Sequence, residues 1–158
     1  MSIDAETFRQ VLGAVPTAVT VLTIVDPSGA DRAMTVGAFA SLSLDPPLVL
    51  ACIGNDAMLA GAMRSATRFG VSVLADDQEP MSRRFAARTL RDVAASECLR
   101  GPAGSALLDG ASAHIECRIV ARHPGGDHTI VVGEIEYAAA FERPPLVHHR
   151  GTYSRLAT

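Results

Sequence analysis

The sequence has no tryptophan, few other aromatic residues and only three cysteines. Cys52, Cys98 and Cys117 are odd in number, lie far apart and include no CxxC pair. A disulfide framework or a zinc site needs paired or closely spaced cysteines. We therefore expect three reduced thiols. Cys52 and Cys117 lie in apolar strand sequences, which favours core positions over nucleophilic sites.

The chain also lacks basic blocks and long apolar runs. Its 14 Lys and Arg residues are outnumbered by 17 Asp and Glu residues, which gives a formal net charge of −3. This balance argues against nucleic acid as the main partner. No apolar run reaches the roughly 18 residues of a membrane span, and the first residues do not resemble a signal peptide. We expect a cytoplasmic protein, without membrane association, whose partners are small molecules or other proteins.

The length and the hydropathy fit one folded unit. Of the 158 residues, 48% are hydrophobic, and the mean hydropathy is +0.22. A chain of this length buries roughly two thirds of its unfolded surface in a single core. We therefore predict one domain over residues 1–158.

Three segments have the spacing or polarity of helices. Apolar residues at helical spacing predict a helix over 2–15 that begins at Asp4 as N-cap and ends before a proline. Either Asn55 or Asp56 is expected to cap a second helix. The polar segment 76–99 predicts one or two further helices outside the sheet.

The rest of the chain is dominated by strand patterns. Strands are predicted over 17–25, 34–44, 47–53, 69–75, 111–121 and 128–141. Strand 111–121 alternates, with apolar residues at odd positions, while His114 and Glu116 stand among the even ones, so we expect it to be half-buried. The sequence HPGGD at 123–127 predicts a turn that joins the last two of these strands into a hairpin.

About six antiparallel strands with peripheral helices favour a closed or split barrel, because closure removes sheet edges and gives each strand one buried face. No strand is followed by a glycine-rich phosphate turn and a crossover helix, so a parallel dinucleotide-binding sheet is disfavoured. Any nicotinamide cofactor is therefore expected to bind without a Rossmann motif.

The stretch MTVGAFASLSLDPPLVLACI, 34–53, resembles the flavin-reductase-like family, the small components of two-component flavin-dependent monooxygenases. Further stretches agree in order, and together they cover nearly the whole chain. They are FGVSVLADDQEPMSRRFA (69–86), LLDGASAHIECRI (107–119), GGDHTIVVGEI (125–135) and the closing PLVHHRGTY.

The resemblance implies a mainly β fold, namely a six-stranded antiparallel Greek-key split β-barrel with a few peripheral helices, which forms a homodimer. It implies FMN or FAD as the flavin and NADH or NADPH as the hydride donor, with reduced flavin supplied to a partner monooxygenase. Hydride transfer requires alignment and exclusion of water rather than an acid or a base. The absence of a catalytic triad, a carboxylate pair or a metal cluster from the sequence is compatible with this activity.

The resemblance also suggests site residues. His128 is the candidate catalytic residue, because it could hydrogen-bond the nicotinamide carboxamide or balance charge on reduced flavin. The candidate cofactor-binding residues are Thr35, Val36, Gly37, Ala38, Phe39, Ser41, Asn55, Asp56, Ala57, Arg84, Phe85, Arg88, His128, His149, Arg150 and Tyr153.

Simpler interpretations of the same residues stay open. The small residues of 35–43 could pack a strand crossing, His128 could belong to an ordinary hairpin turn, and the arginines of 83–91 could form a solvated face. A metal centre built from His123, His128, His148, His149 and Asp127 is disfavoured, because nothing in the spacing makes them converge. The whole chain could also be a non-catalytic flavin- or haem-binding module or sensor, or an interaction protein with a vestigial pocket.

One stretch departs from the family pattern. After the strand that follows the two prolines, family members usually carry a Ser and then a Ser or Thr two residues later, which bind the flavin phosphate. Here Ala57 and Leu59 occupy these places. Either Arg84 or Arg88, with backbone N–H groups at the start of the Asp56 helix, replaces the missing donors, or flavin is a loosely held substrate.

Overall fold

The structure, a computed structural model, describes residues 2–87, 89 and 91–156. The described residues form three α-helices, α1 Ala5–Gly13, α2 Ala60–Met63 and α3 Glu79–Phe85, and one 3-10 helix, Ala95–Glu97. They also form thirteen strands: β1 Thr17–Ala18, β2 Thr20–Val25, β3 Asp31–Val36, β4 Phe39–Ser43, β5 Leu48–Gly54, β6 Arg68–Val73, β7 Arg91–Asp92, β8 Cys98–Arg100, β9 Ala106–Leu108, β10 Ala113–Gly125, β11 His128–Ala140, β12 Leu146–His149 and β13 Thr152–Arg155. The predicted mainly β class with a few helices is confirmed.

Eight strands form one antiparallel sheet in the order β4, β5, β11, β10, β6, β2, β3, β7. The predicted hairpin is present, since 113–125 pairs with 128–140 along its whole length. Strands β3 and β4 lie near opposite ends of this order, yet only Gly37 and Ala38 separate them in the chain. The sheet therefore curls until its two ends meet. A small sheet of β1, β12 and β13 adjoins it.

Strand β2 separates two apolar clusters, and five of its six residues are buried. Leu22 and Ile24 belong to the cluster inside the curled sheet, which contains Ile53, Phe69 and Val131. Val21 belongs to the second cluster, between the sheet and α3, which contains Val19, Leu74, Phe85 and Leu146. Burial on both faces is consistent with the predominance of β-branched residues in 17–25, where the buried hydroxyls of Thr20 and Thr23 donate to backbone carbonyls.

The predicted first helix is confirmed as α1. Asp4 is its N-cap, and the Asp4 Oδ1 accepts a hydrogen bond from the Thr7 N–H at 2.7 Å. No residue of α1 is buried, and Phe8 and Val11 are each more than half exposed. The apolar face of α1 therefore has no covering partner among the described residues. Within those residues, no helix is long and apolar enough to span a membrane.

The predicted cap of the second helix is wrong. Helix α2 begins at Ala60, and Leu59 precedes it without a side-chain capping bond. Asn55 is used elsewhere, because its Oδ1 accepts a hydrogen bond from the Thr129 hydroxyl at 2.8 Å. This contact with β11 holds 55–59 as an irregular turn.

Two other predicted elements are interrupted. The strand predicted over 34–44 breaks at 37–38, where the chain leaves its pairing with β2 and begins to pair with β5. The helical segment predicted over 76–99 contains α3 and the 3-10 helix, but also β7 and the start of β8. These short strands pair with β3 and β9, which are distant partners that local polarity does not reveal.

The prediction that 111–121 is half-buried is also wrong at its start. His114 and Glu116, expected on the exposed face, are both buried. The loop 101–105 and strand β9 cover that face. The Glu116 carboxylate accepts hydrogen bonds from the N–H groups of Ala103 and Ser105, and the His114 Nε2 lies 2.7 Å from the Leu108 carbonyl oxygen. The predicted turn at 123–127 is shorter than expected, because β10 continues to residue 125.

Candidate functional site

A cleft of about 480 Å³ opens between β3, the turn after β5 and the end of α3. Four candidate cofactor-binding residues line it, namely Thr35, Asp56, Ala57 and Phe85. The other lining residues are Ala33, Met34, Met58, Leu59, Ala86, Ala87 and Thr89. The volume lies within the range of small-molecule sites, and the lining is mostly small and apolar. This lining fits a planar, largely apolar ring such as the isoalloxazine of a flavin.

The break between β3 and β4 leaves backbone exposed beside Thr35. The Ala38 carbonyl accepts a hydrogen bond from the Cys52 N–H at 2.9 Å, which fixes the chain as it turns. The N–H groups of Gly37 and Ala38 donate to no partner among the described residues. A Cβ added at Gly37 would meet no atom within 4 Å. A flat ligand could approach this backbone closely and accept its hydrogen bonds.

The remaining residues of this segment differ in exposure. Val36 is buried in the core, so only its backbone is available to a ligand. Phe39 begins β4 and is half-buried, with its ring packed against the core inside the sheet. Ser41 is exposed on the same strand. Neither Phe39 nor Ser41 lines the cleft.

A second cavity of about 210 Å³ lies next to the cleft, and Thr35 lines both. It includes the candidates Val36, Gly37 and Tyr153, together with Ser82 of α3. Sequence analysis missed Ser82, because a serine among the polar residues of a surface helix carries no signal of burial. The remaining lining residues are Thr17, Ala18, Val19 and His148.

The hairpin tip between β10 and β11 lies against the turn after β5. The Asn55 N–H donates a hydrogen bond to the Asp127 carbonyl at 2.9 Å. A Cβ placed on Gly54 would lie 3.2 Å from Asp56 Oδ1 and 3.8 Å from His128 Nε2. The structure therefore places the candidate catalytic residue His128 near Asp56, which lines the cleft, although His128 itself does not line it.

His128 also contacts its neighbour in the chain. Its Nδ1 lies 2.7 Å from the Asp127 Oδ1, and the hydrogen bond from His128 holds the pKa of Asp127 below its usual range. The side chain of His128 is about half exposed, at 45%, whereas that of Asp127 is almost fully exposed, at 95%. Solvent therefore screens this contact strongly.

The arginines of the α3 region are engaged in contacts within the protein, and the Arg84 guanidinium also lies 4.9 Å from the centre of the ring of Phe85, which lines the cleft. The Arg84 guanidinium forms an ion pair with Glu97 and donates to the Asp92 carbonyl at 3.1 Å. The Arg83 guanidinium lies 4.8 Å from the centre of the Tyr153 ring. Arg88 lies outside the described residues. An ion-paired Arg84 is poorly placed to replace the phosphate donors that are absent from the sequence.

His149 and Arg150 lie at the turn between β12 and β13. Arg150 lines a groove with α1, and its N–H donates to the Gly13 carbonyl at 2.8 Å. Neither residue lines the cleft within the described chain. Among the described residues, no three His, Cys, Asp or Glu side chains are grouped as metal ligands would be.

Comparison with known proteins agrees with this geometry. Residues 12–157 match a family model described as a flavin reductase like domain. The chain belongs to this family. It is similar to a NADH-dependent flavin reductase from Rhodococcus sp, with 39% identity over 94% of this chain and 84% of that protein. It is also similar to the FMN reductase (NADH) SmoA of Agrobacterium fabrum, with 40% identity over 98% of this chain and 87% of that protein.

A solved structure shares the fold as well. The NADH:FAD oxidoreductase SgcE6 of Streptomyces globisporus C-1027, in complex with NAD and FAD fragments, superimposes with a TM-score of 0.90. It is 37% identical in sequence, over 99% of this chain and 97% of that chain. The flavin reductase class, the flavin cofactor and the nicotinamide donor predicted from the sequence are confirmed at the level of the family.

Proposed function

We propose that the protein oxidises NADH to reduce FMN or FAD, and that a partner monooxygenase consumes the reduced flavin. This proposal rests on the similarity of the chain, over almost its whole length, to NADH-dependent flavin reductases. A further relative is the reductase subunit HsaB of a flavin-dependent monooxygenase from Rhodococcus jostii, 36% identical over 98% of this chain and 80% of that protein.

The 480 Å³ cleft is the proposed flavin site. When bound, flavin supplies the acceptor atom N5 for a hydride that leaves C4 of the nicotinamide. The exposed N–H groups of Gly37 and Ala38, which follow Thr35 in the chain but do not line the cleft themselves, would orient the edge of a ring that extends past Thr35. Thr35, Ala57 and Phe85 would form its walls and exclude water. Such alignment is the main contribution that a protein makes to hydride transfer.

His128 is the proposed residue next to the reacting groups. Its Nε2 lies on the side of Gly54 and of Asp56, which lines the cleft, while its Nδ1 contacts the exposed Asp127 carboxylate. The backbone hydrogen bond between Asn55 and Asp127, rather than this screened side-chain contact, keeps the hairpin tip that carries His128 next to the turn. We assign it the task of hydrogen-bonding the carboxamide or stabilising negative charge on reduced flavin.

The finer features of the fold are proposed on the same basis. Strands β3 and β4 count as one bent strand, so β2, β5, β6, β10 and β11 complete a six-stranded Greek-key split barrel with β7 as an edge. We propose one domain over 1–158 that acts as a homodimer. The free cysteines fit a reducing compartment, and we propose the cytoplasm.

An assay of nicotinamide oxidation tests the proposed function. Purified protein is mixed with NADH or NADPH and with FMN, FAD or riboflavin, and the absorbance of the reduced nicotinamide is followed. Oxidation of NADH only when flavin is present is the expected result. A bound chromophore without turnover would instead indicate a binding module, and neither binding nor turnover would indicate a vestigial pocket.

A further inference from the structure

One backbone carbonyl oxygen accepts hydrogen bonds from residues in both walls of the proposed flavin cleft. The Thr35 hydroxyl, from the β3 wall, donates a hydrogen bond to the Ser82 carbonyl at 2.8 Å. The same carbonyl accepts a bond from the Ala86 N–H at 3.0 Å, where α3 ends and the opposite wall begins. A carbonyl oxygen has two lone pairs and can accept both bonds. The distance between the walls therefore depends on where Ser82 lies.

The side chain of Ser82 is held from a third element. Its hydroxyl lies 2.8 Å from the Tyr153 hydroxyl of β13, and Ser82 is completely buried. The ring of Tyr153 is in turn packed by the Arg83 guanidinium and by an edge contact from His148, with 5.5 Å between ring centres. The hairpin of β12 and β13 thus contacts α3 through one buried hydroxyl, which adds a hydrogen bond to the apolar packing of Phe85 between α3 and the sheet.

We infer that Ser82 is a positioning residue for flavin binding. This inference rests on the proposed function and adds a residue to it. Ser82 lines the smaller cavity and not the flavin cleft, so it acts through Thr35 and Ala86. Loss of the Ser82 hydroxyl removes its hydrogen bond with the Tyr153 hydroxyl and lets the end of α3 move relative to β3. A cleft whose wall has moved holds a planar ring less well.

The test is the variant Ser82→Ala, measured in two ways. Equilibrium flavin binding, followed by quenching of flavin fluorescence, should weaken by about fivefold or more, as expected for one hydrogen bond lost. The KM for flavin should rise by a similar factor, while kcat at saturating flavin should change by less than about twofold. Tyr153→Phe removes the same bond from the other side. The double variant should be no worse than the more affected single variant.

Ser72→Ala is the matched control. Ser72 is also completely buried, and its hydroxyl accepts one hydrogen bond, from the Leu108 N–H at 2.8 Å. It lines neither cavity of the proposed site. The control should lower the melting temperature about as much as Ser82→Ala does, without changing flavin affinity. A merely structural role for Ser82 predicts no difference in flavin affinity between the two variants.

The outcomes separate this inference from the proposed function. Normal flavin affinity in Ser82→Ala, or equal loss in Ser72→Ala, overturns the inference alone. Additive effects of Ser82→Ala and Tyr153→Phe also overturn it, because they would act independently. If Ser82→Ala does not fold, unchanged flavin affinity in Tyr153→Phe is sufficient to reject it. Wild-type protein that binds no flavin overturns the proposed function and this inference together.

Discussion

The Nδ1 of His128 lies 2.7 Å from the Oδ1 of Asp127, and the opposite edge of the imidazole faces the turn that carries Asp56. If this nitrogen orients the nicotinamide or stabilises reduced flavin, His128→Ala should slow hydride transfer by about tenfold or more. Stopped-flow absorbance of pre-mixed enzyme and flavin against NADH measures this rate.

Asp127→Asn is the matched control for His128. The Asp127 side chain is almost fully exposed, so its bond to the imidazole should contribute little to orientation. We expect its rate to stay within about threefold of wild type. The depressed pKa of Asp127 keeps its carboxylate charged throughout the neutral range, so titration of Asp127 itself should add no pH dependence to this small effect between pH 6 and 8. An unchanged rate in His128→Ala would show that His128 is an ordinary residue of the hairpin turn without a catalytic role.

A second prediction concerns the flavin phosphate. The side chain of Ala57 offers no hydroxyl to the cleft, Leu59 is completely buried, and Arg84 is paired with Glu97. Each missing charge-assisted hydrogen bond is worth about 1.5 to 3 kcal/mol. We therefore expect riboflavin and FMN to bind with affinities within about tenfold of each other. Isothermal titration measures both, and FMN binding a hundredfold more tightly would contradict this expectation.

The exposed carboxylate of Asp56 allows a further comparison of FMN and riboflavin binding. Asp56→Asn removes a like charge beside the position expected for the phosphate, which should strengthen FMN binding by about threefold and leave riboflavin unaffected. Glu142→Gln, an exposed change elsewhere, should alter neither affinity. Equal strengthening of both ligands by Asp56→Asn would show that the phosphate lies far from this turn.

The third prediction concerns the uncovered face of α1. Phe8, Val11 and Leu12 are 54%, 56% and 47% exposed, and a second copy of the chain is the proposed cover. Light scattering at micromolar concentration should give a dimer. Phe8→Glu should raise the dissociation constant by about tenfold or more, because it places a charge in an apolar contact. Val25→Glu, which alters a similarly exposed residue of β2, should leave the dimer intact. A monomeric wild type would contradict the proposal.

The buried carboxylate of Glu116 gives the fourth prediction. Its two oxygens accept hydrogen bonds from the N–H groups of Ala103 at 2.9 Å and Ser105 at 2.7 Å. Glu116→Ala leaves both N–H groups without a partner and should reduce the free energy of unfolding by about 2 to 6 kcal/mol. Denaturant titration measures this loss. Glu134→Gln, which breaks the exposed pair with Arg118, should cost less than about 1 kcal/mol. Similar losses in both variants would refute the proposed role of Glu116.

Sequence by itself determined the elements whose causes are local. Asp4 caps α1 because its carboxylate accepts a hydrogen bond from an N–H three residues along the chain. A capping residue at this short spacing can be recognised from the sequence alone. The long hairpin of β10 and β11 was predictable for a similar reason, since a glycine-containing turn separates two strand patterns. The family was recognisable from ordered motifs, which also suggested the residues 35–39 and 56–57 for the flavin site.

Tertiary structure decided what depends on distant partners. Glu116 occupies a polar position in an alternating strand, and only the loop that folds over it turns that position into a buried one. Asn55 bonds to Thr129 across the sheet, so the capping role suggested by its sequence position is lost. The Arg84 guanidinium forms an ion pair with Glu97, and the Ser82 hydroxyl is hydrogen-bonded to the Tyr153 hydroxyl, 71 residues away in the chain. Hydrogen bonds and ion pairs of this kind leave no local pattern, because their strength comes from burial and closeness that exist only after the chain has folded.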